Sequence, residues 1–346
     1  MVEGLAEAVT GAEAYVVGGA VRDELLGRPV LDVDVACPDP EAAAGRYREA
    51  AGGALFPLSE RHGAWRVARS DGRTVDFTPL GKGIDADLAT RDFTINAIAV
   101  PVGGGGRVDP YGGRADLEAK TVRAVSDDAF RADPVRLLRA VRFEDELGFA
   151  IDERTEQLIR RDADLVTRPA GERILAELER LSAHGFRRLD ELGLLTPLGG
   201  TTDGLDRLDV LPEPKLLLVA VFGERLRALP VSNETRSFAR KLLSAAPPPD
   251  ASPREIHRFR RATEPWAVEA LAFLGKPELV EAVTEARRRD PVEPLLRGDE
   301  LGLPPGPEVG RLLQLVEEER AAGTVSTREQ ALELVRREAK VKRPGT

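Results

Sequence analysis

Hydrophobic and polar positions alternate in short runs over the first 126 or so residues and recur at helical spacing beyond them. Strand-like runs occur at Ala14 to Val17, Leu31 to Ala36, Ala64 to Ala68, Thr74 to Phe77 and Ile95 to Val102, separated by glycine-rich turns. Helix signals lie between them at Val21 to Leu26 and Pro40 to Ala50, so the pattern predicts turn, helix, strand, helix and hairpin in one compact α/β domain. From Asp127 onward, leucine, arginine and glutamate return at three- and four-residue intervals in Arg136 to Leu147, Glu153 to Ala163 and Glu172 to Leu181. That spacing predicts an all-helical remainder. Proline runs at Pro247-Pro248-Pro249 and around Pro304-Pro305-Gly306-Pro307 divide it into two further helical subdomains.

A length of 346 residues predicts several compact units, with enough chain to bury a sizeable core. The single cysteine, Cys37, excludes an internal disulfide. Acidic residues stand near the start where a signal peptide would carry lysine or arginine, and no apolar run is long enough to cross a bilayer. The expectation is a cytoplasmic protein with no membrane partner. The net charge of −9 argues against a uniformly basic RNA-coating surface and directs attention to local clusters.

The first such cluster is Leu31-Asp32-Val33-Asp34-Val35. Residues two apart on a strand share a face, so Asp32 and Asp34 present paired carboxylates while their neighbours face the core. Hard oxygen donors of this kind suit magnesium, which is held by one or two carboxylates together with substrate phosphates. A solvated edge strand is the competing explanation. Gly18-Gly19 closes the preceding strand and opens a helix at Ala20-Val21-Arg22-Asp23, where bare backbone and the Arg22 guanidinium can receive phosphate. Ordinary turn chemistry competes here. Farther on, Asp133-Pro134 reads as a helix start with an aspartate N-cap. Behind it Arg136, Arg139 and Arg142 form a basic stripe, with Leu137, Leu138 and Val141 as the apolar face. A carboxylate and a guanidinium on adjacent turns can engage a base edge that offers an exocyclic amine, as cytosine and adenine do. A solvated helix face is the alternative.

Gly18-Gly19-Ala20-Val21-Arg22-Asp23 with Asp32-x-Asp34 resembles motif A of the class II tRNA nucleotidyltransferases and bacterial poly(A) polymerases. Arg91-Asp92-Phe93-Thr94-Ile95-Asn96-Ala97 resembles their motif B, and Asp109-Pro110-Tyr111-Gly112-Gly113 with Asp116-Leu117 their motif C. Asp133 to Phe143 resembles motif D, and Glu172-Arg173-Ile174 with Glu177-Leu178 motif E. The motifs follow the family's order across the first half of the chain.

The resemblance implies an α/β nucleotidyltransferase head with a mixed sheet and flanking helices over 1–126, followed by all-α domains in an elongated chain. These would be a neck carrying the nucleotide-base template over 127–190, a body over 191–297 and a tRNA-binding tail over 298–346. It implies attack of an RNA 3′-hydroxyl on the α-phosphate of CTP or ATP, with release of pyrophosphate. Asp32 and Asp34 would hold two magnesium ions, manganese being the alternative, and Asp76 would be the third catalytic carboxylate. Gly18, Gly19, Arg22, Arg91, Asp92, Asn96, Asp133, Arg136, Arg139 and Arg142 would bind the nucleotide, with Asp133 and Arg136 as the protein template. The partners implied are the tRNA 3′ end, CTP and ATP, with no obligate protein partner. Arg258, Arg260, Arg261 and Arg287-Arg288-Arg289 offer basic patches that either follow RNA phosphates or are solvated helix faces, and Phe259 and Trp266 are expected in the core.

Three positions depart from the family pattern. Ala132 stands where motif D usually carries glutamate, Thr90 stands before Arg91 where a second arginine is common, and the segment from Thr78 to Thr90 is short. A shortened segment there accompanies enzymes that stop after two cytidines, so a CC-adding enzyme is the nearest alternative. A poly(A) polymerase and an inactive RNA-binding protein on the same fold are the others.

Overall fold

The computed structural model describes residues 4–59, 63–208 and 213–341. The chain divides into two compact units, Met1–Gly199 and Gly200–Thr346.

In the first unit the order is α1 (Leu5–Ala8), β1 (Tyr15–Val17), α2 (Gly19–Leu25), β2 (Asp32–Cys37), α3 (Pro40–Ala51), β3 (Ala54–Ser59), β4 (Ala64–Ala68), β5 (Thr74–Pro79) and α4 (Ile84–Ala89). There follow β6 (Ala99–Pro101), α5 (Gly113–Glu118), β7 (Thr121–Val122), α6 (Ala129–Ala132), α7 (Arg136–Leu147), β8 (Ala150–Ile151), α8 (Glu153–Arg161), α9 (Gly171–Leu178), α10 (Ala183–Glu191) and α11 (Leu195–Leu198). Six strands form one mixed sheet in the order β3-β4-β5-β2-β1-β6, in which β2 and β5 run parallel and the other neighbours antiparallel. β2 is therefore internal to the sheet, and Asp32 and Asp34 are not on an edge strand. Val33, Val35, Val75 and Phe77 pack with Tyr47 and the alanines of α3 in the core on one side. Burying these side chains supplies the apolar driving force that fixes the strand register, because a one-residue slip would turn both aspartates into the core.

Two expectations need correction. Ile95 to Val102 is not one strand: Thr94–Asn96 is a 3-10 turn, and only Ala99–Pro101 pairs in the sheet. Side chains hold the turn, since Thr94 Oγ1 donates to Asp116 at 2.6 Å and the Asn96 amide donates to Asp92 at 2.9 Å. Gly113 seals it from outside, because a Cβ there would lie 2.1 Å from the Thr94 carbonyl oxygen. The region after Asp127 is also not wholly helical. β8 pairs in parallel with β7, through Thr121–Ala150 and Val122–Ile151.

Beyond Gly200 the described residues form α12 (Pro214–Phe222), α13 (Asn233–Ser244), α14 (Pro253–Thr263), α15 (Ala267–Phe273), α16 (Val280–Arg288), α17 (Pro307–Ala321) and α18 (Arg328–Val341), joined by turns and short 3-10 segments. Phe259 is buried, and half-buried Trp266 meets Phe238 edge-on at 5.4 Å. α17 starts at Pro307, with proline at its first turn. No helix among the described residues is long and apolar enough to cross a membrane.

Candidate active site

A cavity of about 710 Å³ opens in the first unit, lined on one side by the β1–α2 turn and β2 and on the other by α7 and α9. Gly18 adopts φ 72°, a conformation that L side chains rarely hold. A Cβ on Gly18 would stand 3.2 Å from Arg91 Nη1 and 3.4 Å from Asp34 Oδ2, so a side chain at this turn would crowd both.

Asp32 and Asp34 both line the cavity. Asp32 is exposed and accepts from Thr74 Oγ1 at 2.7 Å. Burial raises the pKa of Asp34, the charges of Asp76 and Asp32 add to the rise, and Arg91 and Arg66 oppose it. This is an environment in which a nearby cation would favour the ionised form. Asp76 sits beside Asp34 in the parallel register but does not line the cavity. It is 8 % exposed, and Arg66 donates to both its oxygens at 2.6 and 2.7 Å. Among the described residues no three or more His, Cys, Asp or Glu side chains form a metal cage. The donor set still fits magnesium, because two hard carboxylates on one strand face leave room for substrate phosphates to complete the shell.

Arg22 is held by three bonds. Its guanidinium donates to both Asp23 oxygens and to Asn96 Oδ1, each at 2.9 Å. Arg91 donates to Asp87 one turn earlier at 2.6 Å. Asp92 is buried and accepts from Phe93 N, the Asn96 amide and Arg139 at 2.8 to 2.9 Å. Burial alone would raise its pKa, but Arg139, Asn96 and Phe93 outweigh that and hold it low. Arg139 is correspondingly raised, burial being overcome by Asp92 and Glu177.

The arginines of α7 form no solvated face. Arg142 is 3 % exposed and donates to Glu177 at 2.5 Å and Glu146 at 2.7 Å. Arg22, Arg139 and Arg142 surround the Phe143 ring, with guanidinium carbons 4.9, 5.4 and 4.2 Å from its centre. Arg136 donates to the carbonyls of Thr90, Arg91 and Ala129, tying the start of α7 to the end of α4. Asp133 is not the N-cap that the sequence suggests. α7 starts three residues later with Val135 at its N-cap position, and the Asp133 carboxylate turns instead to Arg173 at 3.1 and 2.7 Å.

Gly18, Gly19, Arg22, Asp32, Asp34, Arg91, Asp92, Asn96, Asp133, Arg136, Arg139 and Arg142 thus meet around one cavity, and Asp76 lies behind it. Glu146, Arg173 and Arg180 also line it, and Glu177 braces it. None of these four had a role from the sequence. Arg173 and Glu177 stand in the motif E segment, and their four-residue spacing on one helix face is the signal that could have found them. In the second unit most arginines of the basic patches are ion-paired: Arg258 with Glu255 and Glu318, Arg260 with Asp290 and Glu264, Arg287 with Glu264, and Arg288 and Arg289 with Glu285.

Residues 14–80 and 65–123 match the family described as "Poly A polymerase head domain", and residues 148–199 match "Probable RNA and SrmB- binding site of polymerase A". The A-adding tRNA nucleotidyltransferase of Deinococcus radiodurans is 35% identical, over 96% of this chain and 97% of that protein. The CC-adding tRNA nucleotidyltransferase of Thermus thermophilus is 31% identical over 93% of each. The structure of the Bacillus stearothermophilus CCA-adding enzyme in complex with CTP superposes with a TM-score of 0.78 at 27% identity, covering 98% of this chain and 97% of that one. Full-length likeness of this order, carried by a chain whose motif residues converge on one cavity, places it in the class II family of CCA-adding tRNA nucleotidyltransferases, as a nucleotidyltransferase enzyme.

Proposed function

We propose that the chain adds C and A nucleotides to the 3′ end of tRNA, from CTP and ATP and without a nucleic-acid template. The observation that carries this reading is one cavity where the bare Gly18-Gly19 turn, the Asp32–Asp34 strand and the Asp133–Arg136 pair face each other. The glycine turn lets triphosphate approach the backbone closely. Asp32 and Asp34 would hold two magnesium ions, which when bound activate the attacking hydroxyl and stabilise the leaving oxygens. The 3′-oxygen forms its bond to the α-phosphorus as the bond from that phosphorus to the α,β-bridging oxygen breaks; pyrophosphate leaves with the bonding pair and the hydroxyl proton passes to solvent. Behind Asp34, the Arg66–Asp76 pair fixes the neighbouring strand. Asp133 accepts the exocyclic amine that cytosine and adenine share, and Arg136 donates to the ring or carbonyl acceptor beside it. The division into head, neck, body and tail over 1–126, 127–190, 191–297 and 298–346 remains part of this reading, with the tail on tRNA.

A second reading, addition of CC alone, is favoured by one observation. β5 ends at Pro79 and α4 begins at Ile84, so only Leu80 to Gly83 connects them. So short a connection leaves little chain to move when the site switches from cytosine to adenine.

The test supplies CTP and ATP separately to tRNA transcripts lacking all three, one or two of the terminal nucleotides. Sequenced products carrying CC and then A support full CCA addition. Products that stop at CC select the second reading, and no extension at all overturns both.

A further inference from the structure

Both halves of the base-reading pair have protein partners. Arg136 is anchored on the carbonyls of Thr90, Arg91 and Ala129. The one hydrogen-bonding partner of the Asp133 side chain among the described residues is Arg173, which donates Nη1 to Oδ1 at 3.1 Å and Nη2 to Oδ2 at 2.7 Å. Asp133 has extended backbone, with φ −149° and ψ 99°, between α6 and α7, so no helix fixes its rotamer. The preceding residue is Ala132, which brings no side-chain hydrogen bond of its own.

Arg173 comes from the first turn of α9, and Glu177, one turn later on the same face, accepts from Arg142 of α7. Thus α9 bonds the reading helix through Glu177 and the reading carboxylate through Arg173. Arg173 takes one acceptor direction on each Asp133 oxygen, and a carboxylate has about four such directions, so others stay open for a base amine.

We propose that Arg173 is the positioning residue that orients the Asp133 carboxylate and thereby sets selection of amine-bearing bases over carbonyl-bearing ones. An ionised carboxylate only accepts, so an oriented Asp133 welcomes the amine of cytosine and opposes the carbonyl that uracil carries there. Without Arg173 the carboxylate can rotate away and the opposition weakens. The inference rests on nucleotidyl transfer with Asp133 as base reader.

The test compares single-turnover incorporation of CTP and UTP on a tRNA lacking its last three nucleotides, using full-length wild type, Arg173→Met, Arg173→Lys, Asp133→Asn and Asp133→Asn/Arg173→Met. Arg173→Met should lower selectivity for CTP over UTP about tenfold, the scale of one well-placed base contact. Arg173→Lys keeps charge without the planar fork and should fall between the two. The double variant should match Asp133→Asn, because Arg173 acts only through that carboxylate. A folded Arg173→Met with wild-type selectivity, or additive losses in the double variant, overturns the role of Arg173 while leaving nucleotidyl transfer intact. Should Arg173→Met fail to fold, Arg173→Lys decides, and wild-type selectivity there overturns the role. A wild-type protein that extends no tRNA overturns the functional reading itself.

Discussion

On the sheet wall of the cavity, the Asp34 carboxylate has no hydrogen bond or ion pair among the described residues, and its pKa is raised by burial and by neighbouring aspartates. On the helical wall, Arg136, Arg139, Arg142, Arg173 and Arg180 are each committed to a carboxylate or a carbonyl. The difference separates two kinds of preorganisation. One wall carries an electrostatic cost that a cation would relieve, and the other is complete before any ligand arrives. Substitutions on the first should harm chemistry more than stability; on the second, those at the braced Arg139 and Arg142 should do the reverse, while Arg136 and Arg173 bear on base selection.

The largest expected effect is on the sheet wall. Asp34→Asn should slow nucleotide incorporation on the order of a thousandfold, the loss of several kcal/mol of transition-state stabilisation. It should also raise the melting temperature at neutral pH. A carboxylate whose folded pKa is raised destabilises the native state above that pKa, and the penalty fades as pH falls through it, so the gain over wild type should shrink in acid. A variant that is inactive and less stable at neutral pH would erase the contrast between the walls.

Asp92→Asn comes next. It leaves Arg139 without its main partner and should cost about 3 kcal/mol in denaturant unfolding, the low end for breaking a buried pair because a third of the Arg139 side chain is exposed. The folded pKa of Asp92 is depressed, so its stabilisation is present above the usual carboxylate range and is lost as pH falls through the folded value. Wild-type stability should therefore fall more steeply than that of Asp92→Asn on acidification, which a pH series of melts would check.

Gly18→Ala tests the bare turn on the sheet wall. Forcing a Cβ onto φ 72°, ψ −137° costs on the order of 1 to 3 kcal/mol, and the methyl crowds Arg91 and Asp34. We expect lower stability and a KM for CTP raised by about tenfold, read from steady-state kinetics. The smallest effect should come from Arg288→Ala in the second unit, where an exposed pair with Glu285 is all that is lost. Its melting temperature should not change measurably.

What was readable from the sequence follows from how local each signal is. The β1–α2 turn, β2 and α7 came through because glycine, alternation and helical spacing act over a few residues. β3 went unseen since Ala54–Ser59 contains Pro57 and exposes Phe56 and Leu58, as only an edge strand tolerates. Ile95 to Val102 misled because Ile95, Ala97, Ile98 and Ala99 are all buried, and continuous burial cannot separate a turn from a strand. In the site, residue identities were legible but their partners were not. Nothing local joins Asp133 to Arg173 or Arg142 to Glu177, 40 and 35 residues apart, since each pair is set by which helices pack together, whereas Arg66 and Asp76 face each other across the β4–β5 hairpin.

The short β7–β8 ladder bears on how α7 is loaded mechanically. Thr121–Val122 and Ala150–Ile151 pair before α6 and just after α7, so α7 spans a closed frame and is not cantilevered from one end. Force on one end of that helix is shared with the other through four residues of strand. An insertion within the frame would strain both ends together, whereas the same insertion in the exposed Gly103–Gly106 turn would be absorbed where it falls.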